Sequence, residues 1–427
     1  MRVKLAYGRT GLPVDFPKSR TTVIQPTHIQ AVSDECGAVR QALRAPRGSP
    51  PLASLVRPDQ TVAIAVCDIT RPMPSRKVLP VVLAELARVP IGNIVILNAT
   101  GTHRRNTNDE LAEMLGEEVV SRYRVVNHDA FDDTMLIHLG DVEPQVPVWL
   151  NRDWVSADIR ITTGFVEPHF FAGFSGGPKM VAPGLAGFAT TMRLHDADMI
   201  AHPDACWGRT EGNPIHDAIR RIAALVGVDF SVDVAINRDR RITGVLAGEL
   251  FTVHKAMAAM VKQSAMQPFG KPFDVVVTSN SGYPLDQNLY QTVKGLSAAA
   301  QVVKDGGVIL CASECSDGLP SHSEYQKILT DRADPEALLE MICTPGHNRH
   351  DQWEVQVQAQ IQCRAEVFLK TEGLTADEIR AAHLTPIEDI GAATLKHLDR
   401  FGPESRVCVL PEGPQTIPYL DRAPKEI

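Results

Sequence analysis

The stretch TVAIAVCD (61–68) decides the fold, because six apolar residues in a row end in an aspartate. NIVILNAT (93–100) and ADIRITTG (157–164) have the same form, with β-branched runs that end in small or polar residues. Short apolar runs of this kind predict strands buried on both faces, as in a parallel sheet. Four later stretches repeat the pattern: FDVVVTSN (273–280), GGVILCAS (306–313), AEVFLKTE (365–372) and RVCVLPEG (406–413).

Helical patterns separate these strands. VLPVVLAELARV (78–89) and NPIHDAIRRIAALVG (213–227) place apolar residues at helical spacing. Thr375 and Glu378 have the spacing of a capping box at the start of another helix. Strands that alternate with helices predict an α/β fold, in which mostly parallel sheets are flanked by helices.

The length of the chain predicts two domains. At 427 residues it exceeds the usual size of a single domain. A helical stretch at 248–265 runs into a segment with proline and glycine at about 266–272, which is typical of a boundary. We therefore expect α/β domains at 1–268 and 269–427, with an active site in the cleft between them.

Composition excludes several classes of protein. A net charge of −8, a pI near 6.0 and the lack of a basic run argue against nucleic-acid binding. No apolar stretch is long enough for a membrane span, and the first residues lack the apolar region of a signal peptide. The eight cysteines form no C-x-x-C pair, so we expect free thiols and a cytoplasmic protein rather than a thiolate zinc site.

Ionisable residues follow four of the predicted strands. In parallel sheets, the loops after the carboxyl ends of strands build the active site. Each of these loops combines charged or ionisable residues with glycine or proline, which favours function over surface decoration. They are DITRPMPS (68–75), GTHRRNT (101–107), EPHFFAGFSGGPKMVAPG (167–184) and NSGYPLDQNLYQTVKG (280–295).

Lys179 stands in a glycine-rich loop that matches no nucleotide-binding motif. A P-loop needs glycine before its lysine and Ser or Thr after it, whereas Pro178 and Met180 occupy these positions. No G-x-G-x-x-G fingerprint is present either. The glycines indicate close approach of the backbone to a bulky group, or positive φ angles. A solvated lysine at the tip of a turn fits this segment equally well.

The other candidates each have a functional and a structural interpretation. Arg71 is suited to binding a carboxylate or phosphate, but it could equally pair with Asp68. His103 is suited to general-base catalysis, although a histidine after a strand is more often structural. His195 is a candidate metal ligand with no second His or Cys at ligand spacing. Most of the other histidines are expected to be structural, namely His28, His128, His138, His254, His322, His383 and His397.

Taken in order, these stretches resemble the lactate racemase family, whose members use a nickel-pincer nucleotide. The resemblance rests on DITRPMPS, GTHR, the loop at 167–184, a histidine 16 positions beyond Lys179 and SGYPLDQNLYQTVKG. DQWEVQ (351–356) adds a weaker agreement. Each motif is common alone, but five in this order are specific.

The resemblance implies a covalently bound cofactor. Lys179 would be joined through a thioamide to the pyridinium-3-thioamide-5-thiocarboxylic acid mononucleotide that holds nickel. His195 would complete the coordination of the metal. Gly176 and Gly177 would let the backbone approach the pyridinium ring.

The resemblance also implies the roles of the remaining residues. His103 and His169 would exchange protons with the substrate on opposite faces. Arg71 and Lys294 would hold its carboxylate. Four further residues would line the cofactor or orient the site: Asp68, Tyr290, Gln291 and Trp353.

The implied reaction inverts C2 of a small anionic 2-hydroxy acid. Hydride would pass reversibly to the cofactor, with a 2-oxo acid as intermediate, and cofactor-biosynthesis proteins would be transient partners. The alternatives are a sugar-acid 2-epimerase with the same cofactor, a non-catalytic small-anion binder, and a nicotinamide-dependent dehydrogenase, which would lack its usual fingerprint. The residues carry no signal for the oligomeric state.

Overall fold

The computed structural model describes residues 1–27, 29–320 and 324–420, so that His28 and His322 lie outside the described residues. The chain divides into two compact units. The terminal unit consists of Met1–Thr27, Asp196–Ala201 and Gln263–Ile427, and the central unit consists of His28–His195 and His202–Lys262.

Most strands of the two units are short. The seven stretches predicted as buried strands all form strands, which confirms the strand predictions. In chain order the strands are β1 (Arg2–Leu5), β2 (Leu12–Asp15), β3 (Thr21–Val23), β4 (Val62–Cys67), β5 (Ile94–Ala99), β6 (Arg124–Asn127), β7 (Leu136–Val142), β8 (Val146–Asn151), β9 (Ile159–Phe165), β10 (Pro168–His169), β11 (Gly173–Phe174), β12 (Phe230–Ile236), β13 (Ile242–Gly248), β14 (Met266–Phe269), β15 (Phe273–Ser279), β16 (Val303–Ala312), β17 (Glu366–Lys370), β18 (Thr385–Pro386), β19 (Val407–Leu410) and β20 (Ile417–Leu420).

The helices fall largely between the strands. Thr375 and Glu378 form the capping box that their spacing predicts, at the start of the helix Ala376–Ala381. In chain order the helices are α1 (Glu35–Arg44), α2 (Leu52–Leu55), α3 (Ser75–Glu85), α4 (Asn108–Leu115), α5 (Glu117–Arg122), α6 (Arg152–Ser156), α7 (Phe188–Leu194), α8 (Ala197–Ala201), α9 (Pro214–Val226), α10 (Leu250–Ala265), α11 (Leu289–Ala300), α12 (Tyr325–Leu329), α13 (Pro335–Ile342), α14 (Gln352–Gln362), α15 (Ala376–Ala381) and α16 (Ile390–Phe401).

The central unit is built on a six-stranded sheet in the order β13-β12-β9-β4-β5-β6. All neighbours pair in parallel except β13, which runs antiparallel to β12. Val62, Ile64 and Val66 of β4 are completely buried, in one apolar core with residues of α1 and α3. Burial on this scale is the main driving force for forming the sheet.

The terminal unit contains a second six-stranded sheet in the order β18-β17-β16-β15-β19-β3. Its strands pair in parallel throughout. The two sheets confirm the predicted α/β class with mostly parallel strands. Val275, Val277, Val308 and Leu310 form the centre of its apolar core.

The first residues of the chain belong to the terminal unit. A single boundary at 268 would instead place them in the same domain as the central residues. β3 pairs with β19, with Thr21 beside Val407. The Arg20 guanidinium donates to the carbonyl oxygens of Ser405 and Leu398, at 2.9 Å in both cases. This unit is therefore discontinuous in sequence, because strand pairing and not chain order decides which segments fold together.

Two further expectations concern cysteines and membranes. All eight cysteines are free thiols, as predicted. No helix within the described ranges combines the length and apolar character that a bilayer crossing needs.

Candidate active site

Three neighbouring strands of the central unit deliver the candidate residues. β9, β4 and β5 lie side by side and run parallel, so their carboxyl ends share one edge of the sheet. Asp68 and Arg71 follow β4, and His103 follows β5. The segment 167–184, here called the lysine loop, follows β9. The fold thus brings these three loops to one edge.

Direct contacts tie the lysine loop to its neighbours. The Gly101 amide, in the loop after β5, donates to the Gly184 carbonyl at 3.0 Å. Gly184 in turn donates to the Lys179 carbonyl at 3.2 Å. At the end of β4, Cys67 Sγ lies 3.6 Å from Met180 Sδ. The loop carrying Lys179 is therefore packed on the ends of both adjacent strands.

Asp68 and His103 form a hydrogen-bonded pair. His103 Nδ1 donates to Asp68 Oδ2 at 2.8 Å, and the Thr70 hydroxyl donates to Asp68 Oδ1 at 2.8 Å. Burial opposes ionisation of Asp68, but the His103 hydrogen bond and the charges of His103 and Arg71 hold its pKa below the ordinary value. When the half-exposed His103 ring is neutral, Nδ1 carries the proton that it donates to Asp68, and the lone pair is on Nε2.

The Phe171 ring contacts three of the predicted site residues. His169 meets it edge-on with centroids 4.5 Å apart, and His195 meets it edge-on at 5.1 Å. Lys179 Nζ lies 5.6 Å from its centroid. The structure therefore gathers the predicted proton shuttle, cofactor lysine and nickel ligand around one buried aromatic side chain, which sequence reasoning did not single out.

The tautomer of the predicted nickel ligand, His195, is set by its own helix. It follows the last residue of α7, and its Nδ1 donates to the Thr191 carbonyl at 2.7 Å. This hydrogen bond fixes the tautomer and leaves the lone pair on Nε2. A histidine held through one ring nitrogen by a carbonyl is the usual arrangement of a metal-binding imidazole.

His169 has the opposite tautomer to His103. Its Nδ1 accepts from the Ala172 amide at 3.3 Å, so the proton of the neutral ring is on Nε2. His103 therefore carries a lone pair on Nε2, whereas His169 carries an N–H there. In their neutral forms the His103 ring can therefore accept a hydrogen bond at Nε2, and the His169 ring can donate one there.

The two glycines before Pro178 have a structural reason within the protein itself. Gly176 and Gly177 both have positive φ angles, +72° and +47°. A Cβ at Gly176 would lie 2.7 Å from Val166 Cγ2, and a Cβ at Gly177 would lie 2.5 Å from the His254 ring. Glycine is thus required here by backbone conformation and packing, in addition to any approach to a cofactor.

The lysine loop accepts hydrogen bonds from, or donates them to, three buried polar side chains. Sequence reasoning did not identify them as site residues. His216 Nδ1 donates to the Ala172 carbonyl at 3.1 Å, and His254 Nε2 donates to the Ser175 carbonyl at 2.9 Å. Asp233 Oδ1 accepts from the Gly177 amide at 3.1 Å. We call Asp233, His216 and His254 the loop support.

The charge state of the loop support follows from its burial. Burial lowers the pKa of His216 to about 3 and that of His254 to about 4, with nearby positive charge including Lys179 adding to the effect. Both rings are therefore neutral donors at physiological pH. Burial raises the pKa of Asp233 to about 7, opposed only by the Gly177 hydrogen bond.

The raised pKa of Asp233 predicts a pH-dependent effect on stability. A carboxyl whose pKa is raised by folding favours the folded state most when it is protonated. This contribution to the free energy of unfolding is fully present below the pKa of the unfolded chain, near 4, and is lost as the pH rises through about 7. Asparagine does not ionise, so Asp233→Asn lacks this loss. The free energy of unfolding of the variant minus that of wild type should therefore be a few kcal/mol larger at pH 8 than at pH 4. Denaturant unfolding of both proteins at the two pH values measures it; a constant difference would contradict it.

The terminal unit groups the remaining predicted residues on α11 and α14. Lys294 Nζ donates to Gln291 Oε1 at 2.6 Å, and Trp353 Nε1 donates to the Tyr290 hydroxyl at 3.3 Å. Asn288 caps α11 by accepting from the Gln291 amide at 3.0 Å. All four predicted residues of this unit are therefore neighbours in pairs.

Glu354 is a further ionisable residue in this group. Its side chain is buried, and burial raises the pKa of its carboxyl, an effect that the positive charge of Lys294 opposes. Burial also raises the pKa of Tyr290, with the charge of Glu354 contributing. The stretch DQWEVQ contains Glu354, so its position beside Trp353 was the available signal.

Comparison with known proteins identifies the family. The model of the lactate racemase N-terminal domain matches residues 7–208, and that of the lactate racemase C-terminal domain matches residues 270–417. The chain belongs to the lactate racemase family. Lactate racemase from Thermoanaerobacterium thermosaccharolyticum is 33% identical over 421 residues, covering 97% of this chain and 98% of the relative. Lactate racemase from Lactiplantibacillus plantarum is 35% identical over 378 residues, covering 88% and 89%.

Solved structures agree with the fold of this lactate racemase family member. The lactate racemase apoprotein from T. thermosaccharolyticum superposes with a TM-score of 0.91 at 33% identity, covering 98% of this chain and 100% of that one. A Thermotoga maritima protein, 19% identical with a TM-score of 0.67 over 90% of this chain and 98% of its own, shares the fold. Membership of the lactate racemase family makes the chain an enzyme of the racemase class.

Proposed function

We propose that the protein inverts C2 of a 2-hydroxy acid with a nickel-pincer nucleotide bound covalently at Lys179. The observation that carries the proposal is the grouping of His169, Lys179 and His195 around Phe171 in a member of the lactate racemase family. The proposed chemistry needs a proton shuttle, an amine for attachment and an imidazole ligand. The three residues proposed for these roles all lie beside the Phe171 ring.

The residues fit the proposed cofactor. The Lys179 amine is on a loop whose conformation depends on two glycines with positive φ, and His195 directs the lone pair of Nε2 away from its own helix carbonyl. Imidazole nitrogen is a suitable donor for nickel. The bound nucleotide would supply an acceptor for the substrate hydride and would return it.

The protein's own residues would bind the substrate and move its protons. Arg71 and Lys294 are proposed to bind the carboxylate, because both carry a positive charge that matches an anionic acid. His103 would accept the proton of the 2-hydroxyl at Nε2. His169, in its imidazolium form, would return a proton to the carbonyl oxygen of the 2-oxo acid from the opposite face and so become neutral. Loss of configuration requires two such groups, since one shuttle reaches a single face.

Asp68 has a defined part in this scheme. By accepting from Nδ1 it keeps the lone pair of His103 on Nε2, and as a carboxylate it stabilises the imidazolium that forms when His103 accepts a proton. Asp68 is therefore proposed as a positioning residue for His103, which is the second of the two roles that the resemblance implies, lining the cofactor or orienting the site.

The test of the proposal is the composition of the purified protein. The chain would be produced with and without the pincer-cofactor biosynthesis proteins, and intact mass and nickel would be measured. A nucleotide-sized mass increase with nickel equimolar to the chain is expected under co-production, together with turnover of a 2-hydroxy acid. An unmodified, nickel-free chain under those conditions would overturn it in favour of a small-anion binder.

Substituting Asp68 tests its role. Asp68→Asn is expected to slow racemisation by about 10²-fold or more, because the amide can present N–H to Nδ1 and so stabilise the wrong tautomer. Steady-state kinetics on protein with unchanged cofactor mass would measure the effect. Thr70→Val is the matched control, since it removes only the hydrogen bond to the other carboxylate oxygen. Equal losses in both variants would argue against the positioning role.

The proposal extends to the substrate and the location. Lactate and longer 2-hydroxy acids, sugar acids included, are the candidate substrates, and faster turnover of a polyhydroxylated acid than of lactate would select the epimerase. Eight free thiols fit a reducing compartment, and the cytoplasm is the proposed location.

A further inference from the structure

The loop support forms hydrogen bonds with three backbone groups, spaced along the segment that leads to Lys179. His216 binds the carbonyl of residue 172, His254 that of residue 175, and Asp233 the amide of residue 177. These residues come from α9, α10 and β12, which are distant in sequence from the loop. None of the three has a part in the proton transfers described above.

Asp233 is held in surroundings that would favour an apolar residue. Its side chain is completely inaccessible to solvent, and Oδ2 has no hydrogen-bond partner within the described part of the chain. A Cβ at Gly164, its neighbour on β9, would lie 2.3 Å from Oδ1. Burying a carboxyl with one oxygen unsatisfied costs free energy. Its single hydrogen bond, to the lysine loop, is the contact that an apolar residue could not replace.

This hydrogen bond is connected directly to the position of Lys179. Gly177 is the first residue of the 3-10 turn Gly177–Met180. Within this turn the Lys179 amide donates to the Gly176 carbonyl at 3.0 Å. Fixing the amide of Gly177 therefore fixes the start of the turn, and the turn sets the direction of the Lys179 side chain.

We propose that Asp233, assisted by His216 and His254, is a positioning residue that holds the lysine loop in the conformation in which Lys179 is joined to the nucleotide. The part of this proposal that concerns attachment rests on the proposed function. The loop support would fix the loop before attachment, so that the amine is presented without an ordering cost.

The alternative is that Asp233 contributes only to the stability of the sheet. Ser231→Ala is the matched control for this alternative. Ser231 is two residues earlier on β12 and equally buried, and its hydroxyl pairs with Thr162 at 2.9 Å within the sheet, away from the loop. A general weakening of the β9–β12 pair should therefore appear in this variant as well.

The experiment compares Asp233→Leu, Asp233→Asn and Ser231→Ala by two measurements. Hydrogen exchange of peptides covering residues 172–180 is measured on protein made without cofactor. Intact mass gives the fraction of chain modified at Lys179 after co-production with the biosynthesis proteins. Melting temperatures correct both for overall stability.

Asp233→Leu should speed exchange in the loop and lower the modified fraction, each by about tenfold or more, because the hydrogen bond from the Gly177 amide to the buried carboxyl oxygen is lost. Asp233→Asn keeps an acceptor oxygen and should retain most of both properties, and Ser231→Ala should change neither. If Asp233→Leu and Ser231→Ala gave the same exchange and the same modification at matched stability, the positioning role would be overturned.

Two further outcomes separate this inference from the proposed function. If the wild-type chain gains no mass, the proposed function fails, and the exchange measurement alone decides whether Asp233 positions the loop. If Asp233→Leu does not fold, His254→Leu and His254→Gln replace the pair, since the glutamine amide can still donate to the Ser175 carbonyl. Faster loop exchange in His254→Leu than in His254→Gln would support the inference; equal exchange would overturn it.

Discussion

Lys179→Ala is expected to abolish cofactor attachment, nickel retention and racemisation together. The proposed link is covalent and uses the side-chain amine, so alanine leaves no group that can form it. Because Lys179 is on a turn held by backbone hydrogen bonds, its substitution should leave the fold intact. Intact mass, nickel content and circular dichroism on co-produced protein measure the three consequences.

The control for this substitution is Lys255→Ala. Lys255 has a highly exposed side chain that pairs with Glu211 on the surface, so its loss should change neither mass nor activity. Retention of the nucleotide mass by Lys179→Ala would contradict the assignment of the anchor.

His103→Asn and His169→Asn are each expected to slow racemisation by about 10²- to 10⁴-fold, the usual contribution of a general acid or base. Asparagine keeps polarity and approximate size but does not exchange a proton. Since each histidine would serve one face, the two variants should differ in the enantiomer from which they still produce 2-oxo acid. Trapping the 2-oxo acid from each pure enantiomer measures this preference.

Opposite preferences in the two variants would support a two-face mechanism. His138→Asn is the control, because His138 is on β7, partly exposed and stacked on Trp149. An identical preference in both histidine variants would mean that the two rings act on the same face, and the assignment of faces would then be wrong.

The strands that carry the site were predictable from the sequence. β4, β5 and β9 are largely buried parallel strands, and each is encoded by a short β-branched, mostly apolar run that precedes a functional loop. Asp68, His103 and Lys179 could therefore be placed at strand ends from the sequence alone.

The loop support was not predictable in the same way. Asp233 lies within β12 and not in a loop after the strand, so it does not have the position that indicated the other site residues. His254 was expected to be structural, and nothing in its neighbourhood along the chain indicates that it contacts the lysine loop. These roles depend on contacts between segments distant in sequence, so they become visible only when the sheet is assembled.

The pairing of β3 with β19 has a consequence for the order of folding. During synthesis the N-terminal strand emerges long before its partner, and the loop-closure entropy between them is lost only once the whole central unit has been made. The central unit can fold as a unit in the meantime. The apolar core of the terminal unit, which also forms late, includes five buried side chains from the first 16 residues: Val3, Leu5, Tyr7, Val14 and Phe16.

A fragment that begins at residue 263 would therefore be incomplete. It would lack those five side chains and expose the edge of β19 that β3 covers. An uncovered parallel edge is a site for pairing with other chains. The N-terminal segment thus covers this edge from within the same chain, and we expect the fragment without it to aggregate more readily than the whole chain.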